Sequence, residues 1–370
     1  MKKIVPFVVI LLFLISCESS EDIKSLEVNK TRISIPLGPE QLNSYQVWSS
    51  YFEKGNKLVA YNDRMHHLDF FDLDDQKVIS SVPLEKEGPY GLGRIESIYR
   101  HAADSIFLYE RGKLHILSLL GEKVETFDLY KIYGNLNLGE PVCNFYFKLN
   151  YREESKEVFF FMLNPTDDIE EKSQHSLVTS LSLENETVKT LPIKHTEHFK
   201  NVNGHVGFIT YLGFTGFLNE RMIYNFQYES PVFAFSPISG KIAQGKVHED
   251  KMINEVLTLE DPEVFDRHAI DNPHFLSPVP DPWKDKIYRF MWGAPDPNLD
   301  ENGFTEKSSS ISVFDSDLNL LQEFSLPNYT YQINNWFVNE NGFYMNVAHP
   351  MNETTSEDFL VFDIFKFNVD

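Results

Sequence analysis

The hydrophobic pattern of the chain repeats one short unit. From Leu68 to Leu84, a run of alternating apolar residues is followed by a tight polar turn and a second strand-like run with an aliphatic end. The unit recurs at four further places: Leu114 to Leu129, Leu177 to Ile193, Val232 to Val247 and Ile311 to Leu326. Hairpins that recur every few dozen residues are typical of radial repetition, in which each unit buries its faces against its neighbours. The pattern therefore predicts a β-propeller.

Two more strand-like runs precede each hairpin, which gives four strands per unit. In the first unit the four predicted strands are Tyr45 to Tyr51, Lys57 to Tyr61, Leu68 to Leu73 and Lys77 to Leu84. The first strand of the third unit is predicted at Asn144 to Tyr151, and that of the fifth at His274 to Val279. Such first strands line the centre of a propeller.

The last unit lacks its outer strand at the C-terminus. Thr31 to Leu37 has the pattern of the outer strands Val78 to Leu84 and Leu321 to Leu326, and it would complete this unit. An N-terminal strand in that position closes the ring and covers an otherwise exposed edge. We predict an all-β fold, a six-bladed β-propeller of four-stranded antiparallel blades closed by an N-terminal strand. Five or seven blades remain compatible with the pattern.

The predicted connections differ in length between the two ends of the propeller. Turns that join the first to the second strand and the third to the fourth are short, whereas the other connections hold nearly every long insertion. Long loops on a rigid scaffold commonly carry function, so we expect a binding site on that face. Alternatively, these loops only shield the central channel. His248 to Ile270 predicts short amphipathic helices that cover the funnel as a lid or pack against a blade.

The first residues have the pattern of an export signal. Lys2 and Lys3 precede the apolar run Ile4 to Ile15, which is too short to span a membrane. The end of this run, Leu14-Ile-Ser-Cys17, resembles the lipobox of bacterial lipoproteins. We therefore predict a signal peptide over 1–16, lipidation of Cys17, an acidic tether over 17–25 and the propeller over 26–370. An ordinary cleaved signal in which Cys17 stands by chance is the alternative.

The tether and the charge bear on location and partners. Glu18 to Asp22 resembles an acidic export signal, so we expect an outer-membrane lipoprotein of the cell envelope, with surface exposure left open. The formal net charge of −22 disfavours nucleic acid as a partner. It favours solubility beside a membrane or, alternatively, attraction of a cationic ligand. Lipidation of Cys17 would leave Cys143 without a partner for an intramolecular disulfide.

The connection Glu87 to Arg94 is the first candidate for ligand contact. Its glycines allow close approach of the backbone, and Tyr90 and Arg94 can project toward the central funnel. No Lys-Ser or Lys-Thr pair follows, so a phosphate-binding loop is not indicated. A purely structural turn is the alternative.

Two segments carry residue types that bind metals. Asn298, Asp300 and Asn302 have the alternating oxygens of a calcium loop, although Ser309 stands where a closing Glu is expected. An Asn/Gly turn is the alternative, and no other cofactor is expected. His195 and His198, with His205 nearby, could bind a transition metal or could be solvated loop residues.

Aromatic and cationic residues suggest a further surface. Three tryptophans could form a wall for stacking a sugar ring together with Arg267, His268 and His349; they are Trp283, Trp292 and Trp336. Alternatively, these tryptophans fill gaps between blades. The chain has no G-x-S-x-G or H-E-x-x-H motif, and its many carboxylates single out no acid and base pair. We therefore predict no catalytic residue.

Lipobox, acidic tether, repeated four-stranded units and the Glu87 to Gly91 loop together resemble one family. It is a Bacteroidetes lipoprotein family of unknown function with a TolB-like six-bladed propeller. The loop lacks the Gly-Glu ending common in related propellers, and the resemblance implies no catalytic residues. Our first hypothesis is a membrane-anchored, non-catalytic binding or scaffold protein whose long-loop face binds a glycan, a peptide or an envelope protein. The alternative is a polysaccharide hydrolase or lyase with its site in the funnel.

Overall fold

The computed structural model describes most of the chain beyond the predicted tether. The described residues are 28–88, 90–102, 104–164, 166, 168–204, 206, 211–245, 263–332 and 335–367. The predicted signal peptide, Cys17 and the tether lie outside them, as does the part of the predicted lid before residue 263.

The first half of the described chain forms one closing strand and three blades. β1 (Val28–Pro36) pairs with the last strand of the chain. Blade 1 consists of β2 (Trp48–Phe52), β3 (Asn56–Asn62), β4 (His67–Asp72) and β5 (Lys77–Pro83). Blade 2 consists of β6 (Ile95–Ala102), β7 (Ser105–Glu110), β8 (Lys113–Ser118) and β9 (Lys123–Asp128). Blade 3 consists of β10 (Glu140–Val142), β11 (Tyr151–Arg152), β12 (Glu157–Leu163), β13 (Val178–Ser182) and β14 (Val188–Leu191).

Three more blades complete the ring. Blade 4 consists of β15 (Leu212–Leu218), β16 (Arg221–Phe226), β17 (Val232–Phe235) and β18 (Ile242–Gln244). Blade 5 consists of β19 (His274–Phe275), β20 (Val279–Asp281), β21 (Lys286–Pro295), β22 (Lys307–Asp315) and β23 (Leu320–Ser325). Blade 6 consists of β24 (Trp336–Asn339), β25 (Gly342–Asn346) and β26 (Phe359–Phe367), with β1 as its outer strand. The predicted six-bladed propeller is confirmed.

The ring is closed by pairing between the two ends of the described chain. β1 and β26 run antiparallel over nine residue pairs, from Val28 opposite Phe367 to Pro36 opposite Phe359. The Asp363 side chain is fully buried, and its Oδ1 accepts a hydrogen bond from Arg32 Nε at 2.6 Å. Lys30 Nζ lies 3.1 Å from Asp363 Oδ2. The predicted N-terminal closure is thus reinforced by a buried carboxylate on one strand and two cations on the other.

In the residues that the structure describes, four short helices lie in the long connections. They are α1 (Leu129–Tyr133), α2 (Ile169–Gln174), α3 (Glu197–Asn201) and α4 (Glu263–Asp271). Asp128, Asp168 and Thr196 cap α1, α2 and α3 by accepting a backbone N–H of the first turn. α4 is the described end of the predicted lid helices. In the part of the chain that the structure covers, no helix has both the length and the apolar character to cross a membrane.

The predicted inner strands of blades 3 and 5 were wrong in detail, because each is interrupted. β10 and β11 both pair with β12, and the segment between them leaves the sheet. There, Phe147 forms a parallel bridge with Phe214 of blade 4, and the Lys148 N–H donates to the Phe214 carbonyl at 2.8 Å. Alternating apolar residues are buried whether this segment pairs with β12 or with blade 4. The pattern therefore predicted a buried segment but not the strand with which it pairs.

The loop lengths define two faces of the propeller. Turns such as β2–β3, β4–β5 and β20–β21 lie at one end, which we call the short-turn face. Several of these tight turns hold a non-glycine residue at positive φ, as at Lys54, Gln76 and Asp285. The connections between blades, and those between the second and third strands, lie at the other end, which we call the long-loop face. All four described helices belong to the long-loop face.

Candidate functional site

Two adjoining cavities open where the inner strands begin on the long-loop face. Their volumes are about 280 and 250 Å³, and we call them the rim cavities. Both are lined by Gln46, Val47, Arg94 and Ile95. Strand ends hold these side chains on a rigid scaffold, and together the cavities approach the size of a small-ligand site.

Aromatic rings border the larger rim cavity. Phe145 is 38% exposed, and its ring centroid lies 3.9 Å from that of Tyr146. Tyr146 is in turn stacked on Tyr211 at 5.9 Å with an interplanar angle of 15°. Phe145 and Tyr211 both line the cavity, as does the polar side chain of Asn144. Planar rings beside amide and guanidinium groups are suited to stacking and hydrogen bonding of a polar, ring-shaped ligand.

The charges of the larger rim cavity are partly compensated. Arg111 forms a bidentate pair with Glu140, with Nε–Oε1 and Nη2–Oε2 distances of 2.7 Å. Glu96 also lines the cavity, and burial raises its pKa above the ordinary value even though Arg111 and Arg94 act in the opposite direction. Arg94 is exposed, so it is an accessible cation of this site.

A larger cavity occupies the central channel. Its volume is about 550 Å³, and residues from the inner part of every blade line it, so we call it the channel cavity. The lining reaches the turn residues Glu153, Glu220 and Trp283, which places its mouth on the short-turn face. Trp48, Lys148 and Trp336 lie near the starts of their inner segments and form its deep end. The channel cavity, which is larger than either rim cavity, therefore opens opposite to the face that the loop lengths favoured.

A group of buried and half-buried titratable side chains lies between α3 and the β16–β17 loop. Glu229 is 3% exposed and accepts a hydrogen bond from Thr196 Oγ1 at 2.7 Å. His195 Nδ1 lies 2.9 Å from the Tyr228 hydroxyl, and its ring stacks on Phe199 at 3.8 Å. Burial raises the pKa of Glu229 to about 7 and lowers that of His195 to about 3. His195 is therefore neutral at neutral pH, whereas Glu229 titrates there.

Replacing Glu229 with glutamine is expected to change how stability depends on pH. Burial raises the pKa of Glu229 from 4.5 to about 7 in the folded chain, so folding favours the protonated form. The resulting stabilisation of the folded chain is fully present below the pKa that Glu229 has in the unfolded chain. It is lost as the pH rises through the pKa of the folded chain, and the loss is about 3 kcal/mol in total. Denaturant unfolding from about pH 4.5 to 8 should show Glu229→Gln gaining stability relative to the wild type as the pH rises. Parallel pH profiles for the two proteins would contradict this assignment.

Comparison with known families identifies the chain. The family model described as "Domain of unknown function (DUF4221)" matches residues 16–325. The chain belongs to the DUF4221 family. The predicted resemblance to a propeller family of unknown function is confirmed. No curated protein matches the chain.

The solved structures that are similar to this DUF4221 chain include two proteins of Bacteroides. A DUF4221 member from Bacteroides vulgatus has a TM-score of 0.78 at 18% identity, covering 94% of this chain and 100% of its own. A protein of Bacteroides fragilis, whose name describes it as exported, has a TM-score of 0.57 at 7% identity, covering 92% and 96%. At these identities the likeness establishes the propeller fold.

The DUF4221 chain places Tyr90 and Arg94 on the long-loop face. Both belong to the connection between blades 1 and 2, and Tyr90 is 59% exposed. Arg94 lines both rim cavities, whereas Tyr90 lines neither of them. Of these two predicted contacts, Arg94 is therefore the one that shares a cavity with other candidate residues.

The other predicted ligand contacts lie away from the three cavities. Arg267 is exposed on α4 and forms a bidentate pair with Asp271 at 2.6 and 2.9 Å. His268 and Trp292 are both 6% exposed. Both nitrogens of His349 are engaged, Nε2 with the Thr305 carbonyl at 3.0 Å and Nδ1 with the Met351 N–H at 3.1 Å. The predicted aromatic wall is not assembled, because Trp283 and Trp336 line the channel cavity and Trp292 does not.

The predicted calcium loop is closed by its own hydrogen bonds. Asp296 Oδ1 accepts from the backbone N–H and the Nδ2 of Asn298, and Asn302 Oδ1 accepts from the Asp296 N–H at 2.9 Å. A calcium ion bound by Asn298, Asp300 and Asn302 would compete with these contacts. Among the residues that the structure describes, no group of three or more His, Cys, Asp or Glu could hold a metal. His205, the third of the predicted histidine ligands, lies outside them.

The predicted site residues do not include two side chains that line the cavities, Phe145 and Lys148. Phe145 and Lys148 both lie in the run predicted as one inner strand, Asn144 to Tyr151. A lysine within such an apolar run was an available signal, since inner strands face the channel. Phe145 and Lys148 line different cavities because the chain leaves the sheet in this segment. The alternating hydrophobic pattern does not indicate that departure.

Proposed function

We propose that this DUF4221 protein is a binding protein of the cell envelope whose rim cavities bind a glycan. The observation that carries the proposal is the set of side chains at the larger cavity, where Phe145 and Tyr211 lie beside Arg94, Gln46 and Asn144. Stacking on aromatic rings and hydrogen bonds from planar polar groups are the interactions that a sugar ring offers. A peptide or an envelope protein is an alternative outcome of the test.

Membrane anchoring through Cys17 is part of the proposed function. It rests on the lipobox-like segment Leu14 to Cys17 and on the exported relative from Bacteroides fragilis. Acyl chains on a tether would hold the propeller at a membrane surface without a spanning segment. Mass spectrometry of the mature protein tests this directly, since a Cys17→Ser variant should lose the acyl-modified N-terminus.

Arg94→Ala and Phe145→Ala are expected to weaken glycan binding about tenfold or more, because each removes a principal contact. A glycan array with the purified protein would supply the ligand, and calorimetry would measure the affinity of each variant. Phe52→Ala is the matched control, because Phe52 is 63% exposed at the short-turn end of β2. Unchanged glycan affinity in both rim variants would overturn the proposal. A protein that binds peptides but no glycan would show that the ligand of the rim cavities is a peptide.

Glu96 favours a second candidate function, hydrolysis or elimination within a polysaccharide. Burial raises its pKa, which is the direction that a general acid requires, and Glu96 lines the larger rim cavity. If this site is catalytic, glycans bound by the wild type will be cleaved, and Glu96→Gln will bind them without cleavage. Intact glycan after prolonged incubation with the wild type would contradict the catalytic function and leave glycan binding as the remaining function.

A further inference from the structure

A single lysine lies at the deep end of the channel cavity. Lys148 lines this cavity, and its Nζ lies 3.1 Å from the centroid of the Trp48 ring. An ammonium group over an indole face is attracted by the negative face of the ring. Trp336, Phe337 and Val279 contribute apolar surface to the same cavity. The deep end of the cavity thus combines one lysine with an apolar wall.

The backbone around Lys148 is fixed by two neighbouring blades. The Lys148 N–H donates to the Phe214 carbonyl at 2.8 Å, and the Leu149 N–H donates to Ser97 Oγ at 2.9 Å. Asn150 Nδ2 donates to the carbonyls of Lys148 and Thr215 at 3.1 and 3.0 Å. These bonds hold the interrupted part of blade 3 between blades 2 and 4. The position of Lys148 is therefore set by the scaffold and not by a mobile loop.

The charge of Lys148 is not balanced by an acidic neighbour. Within the described chain, no carboxylate forms a salt bridge with Lys148, and burial alone lowers its pKa well below the ordinary value. Other titratable groups line the same cavity: Tyr99, Tyr151, Arg152, Glu153, Glu154 and Glu220. The three glutamates lie toward the mouth, in or beside short turns. A cation without an anionic partner in an apolar pocket is costly unless a ligand supplies the opposite charge.

We propose that the channel cavity is a second binding site, which takes the carboxylate end of an apolar ligand from the short-turn face and pairs it with Lys148. An organic acid and the free C-terminus of a peptide present this same chemistry. The volume of about 550 Å³ lies within the range of ligand sites. The acidic mouth favours ligands whose other end is neutral or positive, as in a short peptide.

Binding of a carboxylate would also move a proton. A negative charge beside Lys148 opposes the effect of burial and raises its pKa again, so any fraction of the amine that is neutral in the free protein takes up a proton on binding. This uptake distinguishes a charge pair from simple apolar burial. It should appear in calorimetry as a binding enthalpy that depends on the ionisation enthalpy of the buffer.

The experiment measures binding of 3-phenylpropionate, its carboxamide and the dipeptide alanyl-phenylalanine by calorimetry and by Trp fluorescence. We expect the wild type to bind at least one of the two carboxylates and to bind the carboxamide about tenfold more weakly or worse. Lys148→Met should lose carboxylate binding by a similar factor. Lys77→Met, which removes an exposed cation of the outer strand β5 outside the cavity lining, should retain it.

Folding of Lys148→Met is checked by thermal unfolding, and we expect at least wild-type stability, because methionine replaces an amine without an acidic partner by an apolar side chain of similar length. The comparison of acid with carboxamide needs no variant and is decisive even if Lys148→Met fails to fold. Equal affinity for acid and carboxamide, equal binding by wild type and Lys148→Met, or no binding of either carboxylate would each overturn the proposal. Preference for the dipeptide over phenylpropionate would assign the site to peptide C-termini, and the reverse to organic acids.

Discussion

Replacing Asp363 with alanine is expected to lower the free energy of unfolding by about 2–3 kcal/mol, because the change removes the buried carboxylate that accepts hydrogen bonds from half-exposed Arg32 and leaves the buried Tyr331 hydroxyl without its acceptor. Asp363 is fully buried in β26 and accepts hydrogen bonds from Arg32 and from the Tyr331 hydroxyl, the latter at 2.8 Å. Arg32 and Lys30 belong to β1, so this carboxylate joins the two ends of the described chain. Its loss should release the closing strand. Urea unfolding at neutral pH measures the effect.

A surface pair provides the matched control for this prediction. Asp75 forms an ion pair with Lys77 in which both side chains are more than half exposed. Asp75→Ala should therefore cost at most about 1 kcal/mol. Interactions with Arg32, Tyr331 and Lys30 lower the pKa of Asp363 despite its burial, so its contribution is present above the unfolded pKa and is lost as the pH falls through the folded value. A cost for Asp363→Ala no larger than that for Asp75→Ala would refute the role in ring closure.

The propeller could be predicted from the sequence because its repeat consists of short-range hydrophobic patterns. Each hairpin is a local unit, and the unpaired last blade required an outer strand that only Thr31 to Leu37 matched. β1 extends from Val28 to Pro36, so the prediction found the strand and missed its first residues. Strand ends depend on pairing across distant segments, which a single sequence does not specify.

The candidate sites were less predictable, because they arise where the chain departs from its repeat. Arg94 was singled out because it lies in a glycine-rich connection between blades, and in the structure it lines both rim cavities. Phe145 and Lys148 were missed because Asn144 to Tyr151 has the pattern of a continuous strand, and only the bridge from Phe147 to Phe214 reveals its change of partner. His349 had the residue type of a ligand contact, yet both of its nitrogens are used within the fold. Residue type alone does not distinguish such structural roles from binding.

The two proposed sites are carried by one short segment of blade 3. Phe145 borders a rim cavity on the long-loop face, and Lys148 lies at the deep end of the channel cavity, which opens on the short-turn face. Between them, Phe147 is fully buried, with ring centroids 4.9 Å from Phe214 and 6.3 Å from Phe161. Phe147 thus anchors the segment whose neighbours serve the two cavities. A substitution here should affect stability and the channel site together.

Phe147→Ala is expected to lower the free energy of unfolding by about 3–5 kcal/mol, since it empties a fully buried aromatic site. It should also weaken binding of carboxylates in the channel cavity, because Lys148 follows directly in the chain and loses its packed support. Phe145→Ala, two residues earlier and 38% exposed, should change stability by less than about 1 kcal/mol and leave channel binding intact. Denaturant unfolding and calorimetry on both variants separate the effects. A Phe147→Ala protein with wild-type stability would show that the segment is not held by this packing, and loss of channel binding in Phe145→Ala would show that the two cavities are one coupled site.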